Sequence, residues 1–367
     1  MDPLTNRLLM SHDVISRKHQ TVRGPHMHTI TYGIDLAKNV FQVHAVNTVG
    51  EIILKRKLKR KEVLAFFARQ ELGLIGIEAC GGSHYWAREL SKLGFTVRMM
   101  SPQFVKPYIK GNKNDANDAE GICEAVTRPN MKFVTVKTTD QQDILMLHRI
   151  RTQRIKQRTA LSNQARGLLS EYGIVIPVGI RNVRKDLIDI LTDTEEKRLS
   201  EFVKPHFNNL YEELLYLDDL IQTVDKALKV YFNQNEACQR LASLPGISII
   251  TATALVGYLG DISNFKSGRE LSAYLGLVPK QHSSGGRELL LGISKRGDSY
   301  LRTLLIHGSR SVLKVAATKE DKDSLWLIDL QSRRGYNKAA VAQANKTARR
   351  VWALLSNKTQ YEVQQAA

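Results

Sequence analysis

Short apolar runs separated by polar turns fill residues 29–100, and their lengths are typical of strands that alternate with helices. The runs predict five strands, at 29–34, 40–46, 51–56, 74–78 and 95–100. Helical spacing predicts two helices, at 61–70 and 85–93, the second ending at Gly94. Three strands followed by two helix–strand pairs predict an α/β domain.

The pattern changes after residue 139. Apolar residues spaced four and three apart form a heptad seam on a long predicted helix: Leu210, Leu214, Leu217, Ile221, Val224 and Leu228. Such a seam needs a partner helix, either in the same chain or in a second copy as a coiled coil. Further on, a Pro-Gly turn at 245–246 between helical stretches predicts a helix-hairpin-helix in a mainly α-helical C-terminal domain.

These shifts predict four segments: a disordered N-terminal extension at 1–28, an α/β domain at 29–138, a helical coiled-coil region at 139–236 and a C-terminal domain at 237–367. No apolar run is long enough to span a bilayer, so we expect no membrane partner. The three cysteines lack metal-ligand spacing and favour a reducing compartment, which predicts a cytoplasmic protein.

Four acidic residues stand at the ends of predicted elements in the α/β domain. Asp35 and Glu78 each end a buried-type strand, and Asp115 and Asp118 lie three apart near a predicted helix start. A carboxylate in an apolar setting needs a cation to offset its desolvation. Oxygen-only ligands favour Mg²⁺ over softer ions. The set predicts a two-metal centre that cleaves phosphodiesters, on a domain of ribonuclease-H type.

The net charge of +18 and the pI near 9.8 predict a polyanionic partner, and nucleic acid is the leading one. About half of the excess follows Lys280. For any single helix, a solvated charged face is the simpler alternative. The predicted nucleic-acid contacts are Arg149, Arg151, Arg154, Lys156, Arg158, Gly246, Lys280, Arg287, Lys295, Arg296, Arg302, Arg333 and Arg334.

Two serines, Ser283 and Ser284, precede paired glycines and stand among the C-terminal cations. A hydroxyl in an electropositive pocket can attack a phosphate, because cations stabilise the charge that builds on the phosphoryl oxygens. By the residues alone, a basic loop that only contacts DNA is favoured.

The ordered set of motifs resembles the IS110 family of insertion-sequence transposases and is most similar to its IS1111 branch. The resemblance covers residues 29 to 355, far more than any one motif. The matching segments are Gly33-Ile-Asp35-Leu-Ala-Lys38, Ile77-Glu78-Ala-Cys-Gly81, 112–119, Pro245-Gly-Ile247, 274–279, Ser284-Gly285, 294–297 and Leu301-Arg302.

This resemblance implies a RuvC-like domain in which Asp35, Glu78, Asp115 and Asp118 bind Mg²⁺. It implies that Ser284, or Ser283 beside it, attacks DNA and holds it covalently. Donor and target DNA would be the substrates, and a structured noncoding RNA would guide the protein. The resemblance also implies homodimers or homotetramers, in which the tetrad of one subunit meets the serine of another, and a bacterial, nucleoid-associated protein.

Three other functions fit parts of the pattern. A RuvC-like junction resolvase would use the same acids with water as the nucleophile, and its products would stay unjoined. An actin-like ATPase or sugar kinase could use Gly33-Ile-Asp35 as a phosphate loop, but the sequence lacks a second glycine-rich phosphate loop and the positive charge fits poorly. A non-enzymatic nucleic-acid binder would keep the acids as structural ion pairs.

Overall fold

The computed structural model describes residues 30–109, 114–284 and 287–363, and the side chains of residues 283–288 lie outside the description. The predicted extension at 1–28 also lies outside the described residues. The strands are β1 (Ile30–Leu36), β2 (Val40–Asn47), β3 (Ile52–Lys59), β4 (Leu74–Glu78), β5 (Thr96–Met100), β6 (Phe133–Val134), β7 (Pro279–Ser284) and β8 (Arg287–Ile293).

Helices make up most of the remaining described chain. The first five are α1 (Val63–Phe67), α2 (Ser83–Lys92), α3 (Pro102–Val105), α4 (Asp115–Val126) and α5 (Thr139–Ser170). The others are α6 (Ile180–Thr192), α7 (Lys204–Gln234), α8 (Glu236–Ala242), α9 (Ile249–Leu259), α10 (Gly268–Tyr274), α11 (Ser299–Ala316), α12 (Lys322–Arg334) and α13 (Tyr336–Asn357).

Six strands form one mixed sheet in the order β3-β2-β1-β4-β5-β6. The pairs β1–β4 and β4–β5 are parallel, whereas β1–β2, β2–β3 and β5–β6 are antiparallel. Predicted strands and helices are confirmed in this order, although α1 is shorter than the predicted helix at 61–70. A 3-10 turn, Arg60–Glu62, precedes it, and the helix ends at Phe67. The mixed α/β sheet is therefore confirmed.

Helices cover both faces of this sheet. One face packs against α1 and α2 in an aromatic core that includes Phe41, Phe67 and Trp86. The other face packs against α4, whose Ile122 and Val126 are fully buried or nearly so. Burial on both faces explains why β4 reads as a continuous apolar run rather than as an alternating one.

The long helix α7 carries the predicted heptad seam, and the seam finds its partner in the same chain. Leu214 and Leu217 pack in one cluster with Leu161 and Leu169 of α5. Nearer the end of α7, Leu228 packs against Ile144 of α5. In-chain packing, one of the two alternatives left open by the sequence, thus accounts for the burial of this face.

The C-terminal core gathers residues from α8, α9, α10, α11 and α13. A two-stranded hairpin, β7–β8, interrupts this otherwise helical region. Beyond α13, Tyr361 donates its backbone N–H to Ser243 Oγ and its hydroxyl to Asp323 Oδ2. These two hydrogen bonds therefore attach the segment after α13 to Ser243 and to α12.

The chain divides into two compact units, Met1–Val136 and Lys137–Ala367. The second is mostly helical, as the sequence predicts. The finer division of the chain into four segments stays a prediction. Among the described residues, no helix combines the length and the apolar character that a membrane crossing needs.

Candidate metal centre and nucleic-acid interface

Two neighbouring parallel strands carry Asp35 and Glu78 to the same edge of the sheet. Ile34 of β1 pairs with Ile77 of β4, so the next residues on the two strands, Asp35 and Glu78, lie side by side and on the same face. Both side chains are half-buried. This geometry follows directly from the parallel register, which only tertiary pairing can fix.

The first turn of α4 brings the other two acids to this edge. Asn114 caps the helix, and its side-chain oxygen accepts a hydrogen bond from the backbone N–H of Asn117. Asp115 and Asp118 lie in the first turn, where the partial positive charge of a helix N-terminus favours carboxylates. One ligand oxygen from each of Asp35, Asp115 and Asp118 lies within 4.8 Å of the others. Glu78 is outside this close set of three.

Two glycines allow α4 to lie this close to the sheet. Gly33 and Gly76 pair across β1 and β4 and face α4. A Cβ on Gly33 would overlap the Ala119 carbonyl oxygen, and one on Gly76 would lie 2.8 Å from Val126 Cβ. Sequence reasoning missed this positioning role. The repeated tripeptide, Gly-Ile followed by the acid, could have revealed it in both strands.

The carboxylates of the acidic centre repel one another. Burial, and then the negative charges of Asp118, Asp115 and Glu78, raise the pKa of Asp35 to about 6. One oxygen of Asp118, Oδ1, is buried without a hydrogen-bond partner among the described residues. Repelling carboxylates and an unpartnered buried oxygen fit a hard divalent cation with oxygen ligands.

The two serines lie in the other compact unit, at the end of β7. Ser283 pairs with Glu288, and Ser284 with Arg287, in the ladder to β8. The described part of the structure does not include the side chains of Ser283, Ser284 and Arg287, nor any atom of Gly285. A strand end thus replaces the loop that the sequence suggested, and the chemical role of Ser284 stays a prediction.

The cations predicted on α5 fall into two groups. Arg149 and Lys156 are exposed, and Arg154 donates to the Gln157 side chain. By contrast, Arg151 pairs with Asp225 at 2.5 Å, and Arg158 pairs with Asp218 at 2.6 Å, both across to α7. These two arginines join helices, and their guanidinium groups are already neutralised in part.

Among the C-terminal cations, Arg302 has a clear structural role. Its Nη1 donates to the backbone carbonyls of Leu275, Arg296, Gly297 and Asp298, which fixes the segment before α11. Arg333 pairs with Asp329 one turn earlier in α12. The remaining predicted cations with described side chains are exposed: Lys280, Lys295, Arg296 and Arg334.

The Pro-Gly turn between α8 and α9 packs closely on α11. Gly246 has φ +84°, a backbone conformation that favours glycine, and a Cβ there would lie 2.7 Å from the Gly308 carbonyl oxygen. Ser248 caps the N-terminus of α9 through a hydrogen bond from Thr251 N–H. Nucleic-acid binding by Gly246 and by the basic residues stays a prediction.

Comparison with known proteins identifies two segments of the chain. A family model described as transposases of the IS116/IS110/IS902 family matches residues 238–323. A second model, named for the DEDD transposases of IS110 and described as transposase, matches residues 32–174.

Three relatives match over most of their length. A probable family 20 transposase of Pseudomonas aeruginosa is 46% identical over 90% of this chain and 97% of its own. The transposase for insertion sequence element IS1111A of Coxiella burnetii is 46% identical over 90% of both chains. The transposase for element IS1328 of Yersinia enterocolitica is 38% identical over 89% of this chain and 97% of its own.

These matches define a transposase. The chain belongs to the IS110/IS116/IS902 family, and its relatives match the IS1111 branch. The resemblance drawn from the sequence motifs is therefore confirmed.

Proposed function

We propose that this transposase cuts and rejoins DNA to move an insertion sequence, with the four acids holding Mg²⁺ and Ser284 acting as the nucleophile. The observation that supports this most is the convergence of Asp35, Asp115 and Asp118 within 4.8 Å. The unpartnered buried oxygen of Asp118 gives independent support for a cation. Family membership supports DNA as the substrate.

The chain's own residues carry most of the proposed mechanism. The two strand ends and the capped first turn of α4 hold the carboxylates in a fixed arrangement, so that little reorganisation is needed when the phosphate arrives. Bound Mg²⁺ would supply positive charge and Lewis acidity at the scissile phosphate.

In the proposed cutting step, the Ser284 oxygen forms a bond to phosphorus as the bond to one DNA oxygen breaks. The hydroxyl proton of Ser284 ends on the leaving DNA oxygen, which becomes a free hydroxyl end. The phosphodiester is thus conserved as a serine ester, and the reverse reaction with another hydroxyl end rejoins DNA without ATP.

Finer structural features belong to the same proposal. Two adjacent parallel strands that each end in an acid support a RuvC-like domain of ribonuclease-H type. The α8–α9 pair around Pro245 supports a helix-hairpin-helix, and the buried heptad face of α7 against α5 supports a coiled coil within the chain. A guide RNA and a homodimer or homotetramer complete the proposal, supported by the family resemblance and, for RNA, by the net charge of +18.

A recombination assay with paired donor and target plasmids tests the proposal. Asp35→Ala and Ser284→Ala should each abolish recombination, while DNA binding by either variant stays within about twofold of wild type because neither change removes a cation. Ser283→Ala is the matched control and should recombine. A covalent protein–DNA complex, trapped by denaturation and mapped by peptide sequencing, should carry DNA on Ser284.

The main alternative is a nuclease that uses water, which the acidic centre alone would suffice to support. It predicts unjoined products, no covalent complex and normal cutting by Ser284→Ala. Any recombination by Ser284→Ala would rule out the serine mechanism, and DNA attached to Ser283 would move the assignment by one residue.

A further inference from the structure

Two rows of side chains cross the sheet from the metal centre to its edge strand. In the first row, Asp35 on β1 pairs with Gln42 on β2, which pairs with Lys57 on β3. In the second row, Gly33 pairs with His44, which pairs with Lys55. Residues that pair directly across strands point to the same face, so both rows share the face of Asp35.

That face is the one covered by α4, and α4 leaves part of it open. A cavity of about 160 Å³ lies beside the helix, and Gln42, His44, Lys55, Lys57 and Ala116 are among its lining residues. Ala116 sits between the two acids of the first turn of α4, so the cavity adjoins the metal centre. Both lysines line this cavity and are exposed.

The charges along the two rows differ. Lys55 Nζ lies 3.6 Å from Glu120 Oε2 of α4, and the same oxygen lies 3.9 Å from Nδ1 of the buried His44. Lys55 is thus partly neutralised. Lys57, by contrast, forms no ion pair with any described residue, and it is exposed where it lines the cavity.

Arg56, between the two lysines, has a different environment. Strand alternation turns its side chain to the opposite face, where its guanidinium lies 5.4 Å from the centre of the Phe66 ring. Arg56 is also among the lining residues of the cavity, but its guanidinium lies over the aromatic core on the other face. Of these three successive cations, Lys55 and Lys57 are therefore the two whose side chains lie on the cavity's face.

We propose that Gln42, Lys55 and Lys57, here called the edge strip, bind the backbone of the DNA strand that is cut and hold its phosphates beside the metal centre. The inference rests on the proposed function, because the strand at the acidic centre is then the one being cut, and in a transposase that strand is DNA. Two strand spacings separate Asp35 from Lys57, about 10 Å. Lys57 therefore meets a phosphate within about three nucleotide steps of the scissile one.

The test is the salt dependence of DNA binding by the full chain, measured by fluorescence anisotropy with a labelled single-stranded oligonucleotide in Mg²⁺-free buffer. Lys57→Gln should weaken binding several-fold and lower the slope of log K against log salt by about 0.7, as expected for the loss of one phosphate contact on single-stranded DNA. Lys57→Arg should restore both values.

Arg56→Gln is the matched control, because it removes the same charge from the same strand on the opposite face. Its slope should equal that of wild type. Equal slopes for Lys57→Gln and Arg56→Gln would overturn the proposal, since overall charge would then explain the effect. The proposal would also be overturned if Lys57→Gln lost affinity for an RNA oligonucleotide of the same sequence but not for the DNA.

Failure of the proposed function gives a different result. The binding measurement does not depend on cutting. A wild-type protein that neither cuts nor joins DNA would refute the proposed nuclease chemistry. The salt-dependence slopes of the variants would still decide whether the edge strip binds DNA. Melting temperatures of the three variants confirm that each is folded.

Discussion

Asp35 is the residue at which the negative charge needed for the proposed metal binding lowers the stability of the fold most clearly. Its carboxylate is half-buried among three other acids, and its pKa of about 6 means that ionisation at neutral pH destabilises the folded chain. The rise in pKa above that of an ordinary aspartate corresponds to a loss of about 3 kcal/mol in the free energy of unfolding at neutral pH. Because the group is half-exposed, solvent screening reduces this loss to roughly 1 kcal/mol. A bound cation would offset this repulsion.

Asp35→Asn should therefore stabilise the metal-free protein. In EDTA we expect its melting temperature to rise by about 2–4 °C, since roughly 1 kcal/mol has that effect in units of this size. Mg²⁺ should raise the melting temperature of wild type and leave that of Asp35→Asn unchanged. Asp143→Asn, which removes an exposed acid from α5, should behave as wild type. Equal melting temperatures of wild type with and without Mg²⁺ would contradict the metal centre.

At the scale of elements, a buried histidine joins three helices of the second unit. His148 of α5 lies 3.0 Å from the Tyr300 hydroxyl of α11 through Nδ1 and 3.1 Å from Thr253 Oγ1 of α9 through Nε2. Thr253 donates its own hydroxyl to the Ile249 carbonyl. Thr253 Oγ1 can therefore only accept from the ring, so Nε2–H donates to it. Burial favours the neutral ring, in which Nδ1 accepts from the Tyr300 hydroxyl.

This arrangement predicts acid sensitivity. Burial, and then the Arg151 charge, lower the pKa of His148 to about 4, whereas the unfolded chain has an ordinary histidine. The unfolded state binds the extra proton first as the pH falls. Stability should thus decline between pH 6.5 and pH 4 by roughly 3 kcal/mol and then level off.

The measurement is chemical unfolding of wild type and His148→Gln across that pH range. His148→Gln should be less stable at pH 7, because it loses a hydrogen bond. As the pH falls, its free energy of unfolding should decline less steeply than that of wild type, because unfolding of the variant takes up one proton fewer. Parallel pH profiles for the two proteins would contradict the neutral, buried histidine.

The elements themselves were largely predictable, because their signals are local. The apolar run that became β4 and the heptad spacing of α7 both depend on neighbouring residues, and both were predicted within a few residues. Partners distant in sequence were not predictable. The charges of Arg151 and Arg158 suggested phosphate contacts, but their carboxylate partners on α7 lie 74 and 60 residues away.

The candidate site shows the same division between local and distant signals. Each of the four acids could be identified from its position at the end of an element. Their spacing could not, because it depends on the parallel register of β1 with β4 and on the close approach of α4 to Gly33. The sequence analysis did not single out the residues of the edge strip for the same reason, because their common face becomes apparent only when β2 and β3 are paired.

At the scale of the whole molecule, the acidic centre lies in the first compact unit, and the β7–β8 hairpin, which includes Ser284, lies in the second. The proposed mechanism needs both parts, and it leaves open whether they come from one chain or from two chains of the proposed homo-oligomer. The family resemblance favours sites shared between subunits, and in a twofold dimer each such site would take its acids from one chain and its serine from the other.

Mixing two inactive variants distinguishes these arrangements. Asp35→Asn and Ser284→Ala proteins should each form no covalent complex with DNA that carries the ends of the element. If sites are shared, a mixed dimer has one doubly defective site and one intact site, since Ser284→Ala supplies normal acids and Asp35→Asn supplies a normal serine. When equal amounts of the two variants exchange subunits at random, about half of the dimers are mixed. About a quarter of all sites should then be active. Covalent complex formed by the mixture, quantified on a denaturing gel, measures that fraction. If the acids and the serine of one site come from the same chain, every site in the mixture carries a defect and the mixture stays as inactive as either variant alone.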